Sequence, residues 1–437
     1  MAAPITTALL TDRYELTMVQ AALASGAAHR RAVFEVFARH LPHGRRYGVV
    51  AGTARLLDAL EDFRFDAQTL EFLRACGVAD DPTLAYLESY RFTGNIWGYG
   101  EGDCYFPGSP ILVVDGKFAE AVVLETLVLS ILNHDSAVAS AASRMVTAAG
   151  GRPIIEMGSR RTHEVAAVAS ARAAYIAGFA STSNLQAQRS FGIPSAGTSA
   201  HAFTLVHDSE RHAFATQLAA LGAQTTLLVD TFDVERAVRT AVELAGSELG
   251  AVRIDSGDQA VVAREVRALL DALGAAGTRI MVTGDLDEYG IAALAAAPVD
   301  GYGVGTAVVT GSGAPTASLV YKLVARADGN ADGAPLRPMA KRSVGKPGRG
   351  GRKWAVRHRD EHGNALAEVI SLFPPDSGPH DRPLLVPLVR RGQIVGRGAL
   401  ADARERHSQA LAELARQALQ LSRGDPAIPT VFWPDGG

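Results

Sequence analysis

The chain has 437 residues, of which 47% are hydrophobic and 20% charged, a balance that excludes collagen-like and wholly disordered classes. Lys and Arg number 43 against 46 Asp and Glu, a net charge of -3, so no global field favours nucleic acid or an anionic membrane and any anion binding has to be local. Cys76 and Cys104 are too few for a disulfide framework and belong to no CxxC or Cys/His pattern, which fits a reducing compartment and a cytoplasmic location.

Residues 1–10 lack a basic stretch followed by a long apolar core, and the most apolar later run, 121–132, is interrupted by Glu125. Neither export nor a membrane span is expected. Residues 1–112 read as an N-terminal α+β domain with a first helix, short strands at 31–37 and 92–99, and an amphipathic segment near 56–63. Gly98-Tyr99-Gly100-Glu101-Gly102 carries an acidic residue and reads as a structural turn.

Residues 113–325 read as an α/β barrel. From about 150 onward one pattern recurs: a short apolar run, a polar or Gly-rich end, then helical periodicity, which is the signature of successive βα units. The runs are 153–156, 178–180, 194–196, 225–229, 251–254, 279–282 and 301–304. Polar residues at every run end suit a (β/α) barrel, whose strands converge with their C-terminal ends on one face. A doubly wound open sheet explains the alternation but gathers ligand contacts at one switch point.

The run ends carry the chemistry. Gly303-Val304-Gly305-Thr306 lets backbone N–H groups approach an anion and adds a hydroxyl, so phosphate is the expected guest, with a tight turn as the alternative. Arg253 and Asp255 stand two residues apart on one strand and point to the same face. With Gly284 and Asp285 on the next strand end, two carboxylates can hold vicinal sugar hydroxyls. Arg160 and Arg161 supply positive charge for a diphosphate. His201 follows Gly197-Thr198-Ser199-Ala200, and Asp230 ends the following run; a carboxylate on one ring nitrogen makes the other the better nucleophile. No metal-binding or P-loop motif is present, so magnesium would arrive with a phosphorylated substrate.

Residues 326–437 read as a C-terminal segment packing with the N-terminal domain, so that both chain ends build one smaller α+β body. Its parts are a turn-rich stretch at 327–338, a Gly-rich basic loop at 341–353 read as a solvated connection, hairpin-like strands at 354–356 and 383–389, and a final helix at 402–423.

Taken together, Thr11-Asp12-Arg13-Tyr14, Glu156-Met157-Gly158-Ser159-Arg160-Arg161, Ser181-Thr182-Ser183-Asn184, Gly197-Thr198-Ser199-Ala200-His201, Arg253 through Asp258, and Gly303 through Thr306 leading to Tyr321-Lys322-Leu323-Val324 resemble the nicotinate phosphoribosyltransferases, in family order. The resemblance implies an irregular α/β barrel of the type II phosphoribosyltransferase kind, and a homodimer with shared active sites. It implies transfer from phosphoribosyl diphosphate to nicotinate, coupled to hydrolysis of the co-substrate ATP through a phosphohistidine at His201, with Mg²⁺ carried by diphosphate or ATP. By the same resemblance Tyr14 stacks on the pyridine ring as a contribution of the second subunit, and Thr198 and Arg253 belong to the nicotinate site. Asp255 and Asp285 hold ribose hydroxyls, Gly305 and Thr306 cradle the 5′-phosphate, and Arg160 serves the diphosphate and base side. Nicotinamide phosphoribosyltransferases read Gly-Thr-Asp where this chain has Ser181-Thr182-Ser183, and an Asp there would repel a carboxylate that Ser183 tolerates. Quinolinate phosphoribosyltransferases resemble the chain less, and intact His201, Asp230, Asp255 and Asp285 argue against a catalytically silent binding paralogue.

Overall fold

The structure is a computed structural model that describes residues 5–331, 333–341, 349–375 and 378–433. It divides into two compact units, one formed by Met1–Ala137 with Thr316–Gly437 and the other by Val138–Pro315.

The second unit is the α/β body. Its strands are β1 (Ile154–Glu156), β2 (Ser181–Thr182), β3 (Thr226–Leu228), β4 (Ala251–Ile254), β5 (Arg279–Val282) and β6 (Gly301–Val304). They form one parallel sheet in the order β2-β1-β6-β5-β4-β3, a curled half-barrel. Helices cover such sheets on both faces, which is why runs like Ala251-Val252-Arg253-Ile254 are apolar almost throughout. After most strands a side chain caps the next helix: Asn184 accepts from the Ala187 N–H, Asp233 from Arg236, Asp258 from Val261 and Asp287 from Gly290. These caps fix where each loop ends and the helix begins. The helix Val234–Ala245 buries Ala237, Val238 and Ala241, and Gln259–Ala272 buries Ala263, Val266 and Leu270, each along one face.

Two of the seven expected runs are corrected. The strand after β1 is Ser181–Thr182 and not 178–180, because Gly178 takes φ +112 at the helix end and the parallel register begins only at Ser181. The run 194–196 contributes a single bridge, Thr182 to Ser195, since Pro194 offers no N–H and the chain turns away. Six strands result, and β2 and β3 stand at the two ends of the sheet order.

The first unit carries an antiparallel seven-stranded sheet in the order Leu336–Pro338, Leu319–Ala327, Arg31–Ala38, Leu112–Lys117, Asn95–Tyr99, Leu385–Arg390, Gln393–Ile394. Phe34 stacks on Tyr321 with ring centroids 4.8 Å apart, within the core of this unit. Because Leu112–Lys117 and Leu319–Ala327 both pair with Arg31–Ala38, the boundaries fall at 137 and 316 instead of 112 and 326. The unit built from both chain ends therefore takes more of the chain than expected, and in residue count it is not the smaller of the two.

Three local expectations also shift, and a fourth lies partly outside the described residues. The strand expected at 92–99 starts at Asn95, because Thr93 is occupied by the Glu120 carboxylate. Trp354–Arg359 pairs with Ala365–Ser371 and Asp381–Pro383, while Leu385–Arg390 joins the seven-stranded sheet, so 354–356 and 383–389 do not form one hairpin. The final helix is Leu400–Ala412, after which a short 3₁₀ turn, Arg416–Leu419, replaces the continuation to 423. Of the basic run 341–353, residues 342–348 lie outside the described residues.

The helical stretch Phe118–Ala149 is long and apolar enough to pass for a membrane span, yet 67% of its apolar window is buried inside the protein, as a core helix is.

Candidate functional site

The C-terminal ends of β1, β2, β4, β5 and β6 open on one cavity of about 400 Å³ in the α/β unit. This is where parallel α/β folds collect ligand contacts. Of the residues expected from sequence, Arg160, Ser183, Thr198, Arg253, Asp255, Gly284, Asp285, Gly305 and Thr306 line it, together with Arg161.

Arg253 is the best-anchored cation. Its Nη1 donates to the Ser199 carbonyl at 3.1 Å and the Thr198 hydroxyl at 3.3 Å, and its Nη2 stands 3.8 Å from Asp255 Oδ1. Two-residue spacing on a strand thus puts the pair on one face, as expected. Its Nε is buried without a hydrogen-bond partner among the described residues. Burial pulls its basicity below the usual arginine range, against the opposing pull of Asp255 and Asp230 and with the help of Arg160.

Asp255 also accepts from the Thr283 hydroxyl. The next strand end turns sharply over it: Gly284 has φ +98, and a Cβ there would lie 2.2 Å from the Asp255 carbonyl oxygen. Asp285 follows in the left-handed region with φ +40. Such strain in a non-glycine residue concentrates at functional turns. Gly158 is as tightly placed, since a Cβ would meet Val309 Cγ1 at 2.2 Å.

His201 begins the helix His201–Val206, and Asp230 follows β3. Neither lines the cavity itself. Nε2 of His201 is 4.0 Å from Asp230 Oδ1, while Nδ1 meets the Thr231 hydroxyl at 3.1 Å. The Oδ2 atom of Asp230 accepts from the Asp255 N–H at 2.9 Å and the Ser256 hydroxyl at 2.6 Å. Asp230 therefore touches both halves of the site, the histidine and the Asp255 turn.

Tyr14 does not line the cavity. It lies in the other unit on the helix Arg13–Ala24, exposed, with its hydroxyl bonded to Glu125; burial, then the carboxylates of Glu125, Glu15 and Asp12, push its phenol up to about 12. Sequence reasoning gave no individual role to three polar groups: Glu156, Thr231 and Thr283. Glu156 carried the one available signal, a carboxylate ending an apolar strand. Thr231 and Thr283 look like ordinary loop threonines.

Among the described residues no group of three or more His, Cys, Asp or Glu could hold a metal. Asp255 and Asp285 are hard oxygen donors of the kind that complete the shell of a magnesium ion brought in on a diphosphate, so the lining fits such a guest.

The fold defines the class: an α/β enzyme fold of the phosphoribosyltransferase kind. The crystal structure of human nicotinic acid phosphoribosyltransferase superposes with a TM-score of 0.81 at 25% identity, covering 97% of this chain and 98% of that one. A nicotinate-nucleotide pyrophosphorylase from Pyrococcus furiosus gives 0.77 at 25% identity, covering 94% and 97%. Residues 9–133 match the family model of the nicotinate phosphoribosyltransferase N-terminal domain. Nicotinate phosphoribosyltransferase pncB1 of Mycobacterium tuberculosis (strain ATCC 25618 / H37Rv) is 58% identical over 432 residues, 97% of this chain and 94% of that protein. The chain belongs to the nicotinate phosphoribosyltransferase family.

Proposed function

We propose that the protein transfers the phosphoribosyl group of phosphoribosyl diphosphate to nicotinate, giving nicotinate mononucleotide and diphosphate in NAD salvage. The observation that carries this reading is one cavity lined at once by three arginines, two carboxylates and the Gly305-Thr306 turn, in a chain 58% identical to a nicotinate phosphoribosyltransferase. The pyridine nitrogen forms a bond to ribose C1′ as the bond from C1′ to the diphosphate oxygen breaks, and diphosphate leaves with that electron pair. The protein's work is to position charges around an oxocarbenium-like ribose, not to supply an acid or base.

In this reading Asp255 and Asp285 hold ribose hydroxyls, Gly284 lets the strand end turn over Asp255, Gly305 and Thr306 cradle the 5′-phosphate, and Arg160 faces the diphosphate. Arg253, braced by Thr198, pairs with the nicotinate carboxylate beside Ser183. Magnesium carried in on the diphosphate would neutralise part of the leaving charge. Tyr14 of a second subunit closes the base site of a cytoplasmic homodimer.

ATP is the co-substrate that phosphorylates His201: a ring nitrogen forms a bond to the γ-phosphorus as the bond from that phosphorus to the bridging oxygen breaks, and ADP leaves with that electron pair. The Asp230 carboxylate faces Nε2, leaving Nδ1, now on Thr231, as the nitrogen made more nucleophilic. Phosphorylation of this helix start changes the order of the 197–201 loop and through it substrate affinity.

The test is incubation with nicotinate or, separately, nicotinamide, together with phosphoribosyl diphosphate and Mg²⁺, with and without ATP, reading product by mass. Nicotinate mononucleotide is expected from nicotinate in either case, with more when ATP is present. Product from nicotinamide alone, or none from either base, overturns the reading; an ATP-independent yield overturns only the coupling.

A further inference from the structure

We propose that Glu156 is a positioning residue for this reaction: a buried tie that sets Ser183, on one side of the cavity, against the loop bearing Arg160 and Arg161 on the other. The inference rests on the transferase reading above.

Glu156 is the last residue of β1 and is wholly buried. Among the described residues no cation is one of its partners. Its carboxylate accepts the Gly158 N–H on one oxygen and the Thr182 hydroxyl, at 2.5 Å, on the other. Its backbone carbonyl accepts the Ser183 N–H at 2.8 Å. One residue thus holds both the start of the 157–161 loop and the end of β2.

The tie continues on the far side. Thr182 Oγ1 accepts the Asn184 N–H at 3.0 Å, and Asn184 Nδ2 donates to Ser159 Oγ at 2.9 Å, closing a ring of contacts that runs back to the same loop. The loop lies so flat on the carboxylate that a Cβ at Gly158 would come within 2.9 Å of Glu156 Oε1. Met157, Arg160, Arg161 and Ser183, all carried by these two segments, line the cavity, whereas Glu156 and Thr182 do not.

A carboxylate taken out of water with no counter-charge is an expensive way to fill a core position. Burial raises its proton affinity, and the hydrogen bonds from Thr182 and Gly158 only partly offset that. An apolar residue would avoid the cost but leave a buried N–H and a buried hydroxyl unpaired. What the carboxylate provides is two acceptors aimed at two different cavity-lining segments, which fixes their separation.

Thr182→Val tests this with little change of volume, because it puts a methyl in place of the hydroxyl and keeps the β-branch. The KM for nicotinate is expected to rise about tenfold with kcat changed less than about threefold, because base placement and not the departure of diphosphate is disturbed. The melting temperature should stay within a few degrees. Glu156→Gln should show the same split, and the double variant should be no worse than either single one, since both cut the same contact. Thr182→Ser, which restores the hydroxyl, should return the KM to within about twofold of the unmodified protein. An unchanged KM in Thr182→Val, multiplicative losses in the double variant, or a loss of kcat and thermal stability together with no rescue by serine would each overturn the positioning role. Absence of transfer by the unmodified chain would instead overturn the transferase reading and take this inference with it.

Discussion

Nε2 of His201 stands 4.0 Å from Oδ1 of Asp230, an oxygen that is buried and has no hydrogen-bond partner among the described residues. An unpaired buried carboxylate oxygen beside an imidazole is an incomplete interaction that shortens when the ring gains positive charge. Asp230→Asn keeps the shape, and its carbonyl oxygen can still accept from Asp255 and Ser256, but it loses the charge. Phosphoenzyme formation from labelled ATP is expected to fall by on the order of 10², by analogy with the orienting carboxylate of a catalytic triad. His201→Ala should abolish nicotinate-stimulated ATP hydrolysis while circular dichroism and melting temperature hold. Wild-type hydrolysis in that variant would remove His201 from the ATP step.

Gly284→Ala addresses the ribose side. The residue sits at φ +98, where an L side chain is strained, and its Cβ would fall 2.2 Å from the Asp255 carbonyl. The β4 and β5 ends must separate to accept it, carrying Asp255 and Asp285 apart. We expect kcat/KM for phosphoribosyl diphosphate to drop by on the order of 10² or more, with a measurable loss of thermal stability. An alanine variant with unchanged kinetics would show that this turn takes no part in holding the ribose.

Much of the α/β unit is legible in the sequence because its signals are local. Asp233, Asp258 and Asp287 cap the helices they precede, and Arg253 and Asp255 share a face through strand parity alone. What stays hidden depends on partners distant in the chain. Residues 319–325 read as the end of a barrel until they are seen paired with Arg31–Ala38, and a two-residue strand such as Ser181–Thr182 exists only because Glu156 and Ile155 lie beside it. Glu156 ends an apolar run, which marks it as unusual but cannot say that its partners are Gly158 and Thr182. Thr231 carries no signal at all, since its contact with His201 is made by folding.

Stability in acid should report on His407, in the unit built from both chain ends. This imidazole is buried, its Nδ1 meets the Gly102 carbonyl at 3.0 Å, and burial pulls its pKa down from 6.5 to about 4. Between those values the unfolded chain binds a proton that the folded one refuses. The contribution is therefore complete above pH 6.5 and is lost as pH falls toward 4, at about 1.4 kcal/mol per pH unit. Thermal unfolding of the wild type and His407→Gln across pH 7 to 4 should show a shallower slope for the variant in that window. Parallel slopes would mean that other groups carry the acid sensitivity.

Ser183→Asp tests selection of an acid over an amide. Ser183 and Arg253 both line the cavity, and Arg253 is held by Thr198 and Ser199 with most of its side chain shielded from water. In such a partly desolvated setting, pairing a substrate carboxylate with a guanidinium contributes roughly 2 to 5 kcal/mol of discrimination. An aspartate at 183 would compete for Arg253 and repel the carboxylate, raising the KM for nicotinate by on the order of 10². Nicotinamide has no charge to repel and offers an NH₂ donor, so its constants should suffer far less. The measurement is the ratio of kcat/KM for the two bases in wild type and variant, because a folding defect lowers both together and leaves the ratio alone. A ratio that does not move would place Ser183 away from the base, leaving Arg253 as the sole reader of its charge among these two residues.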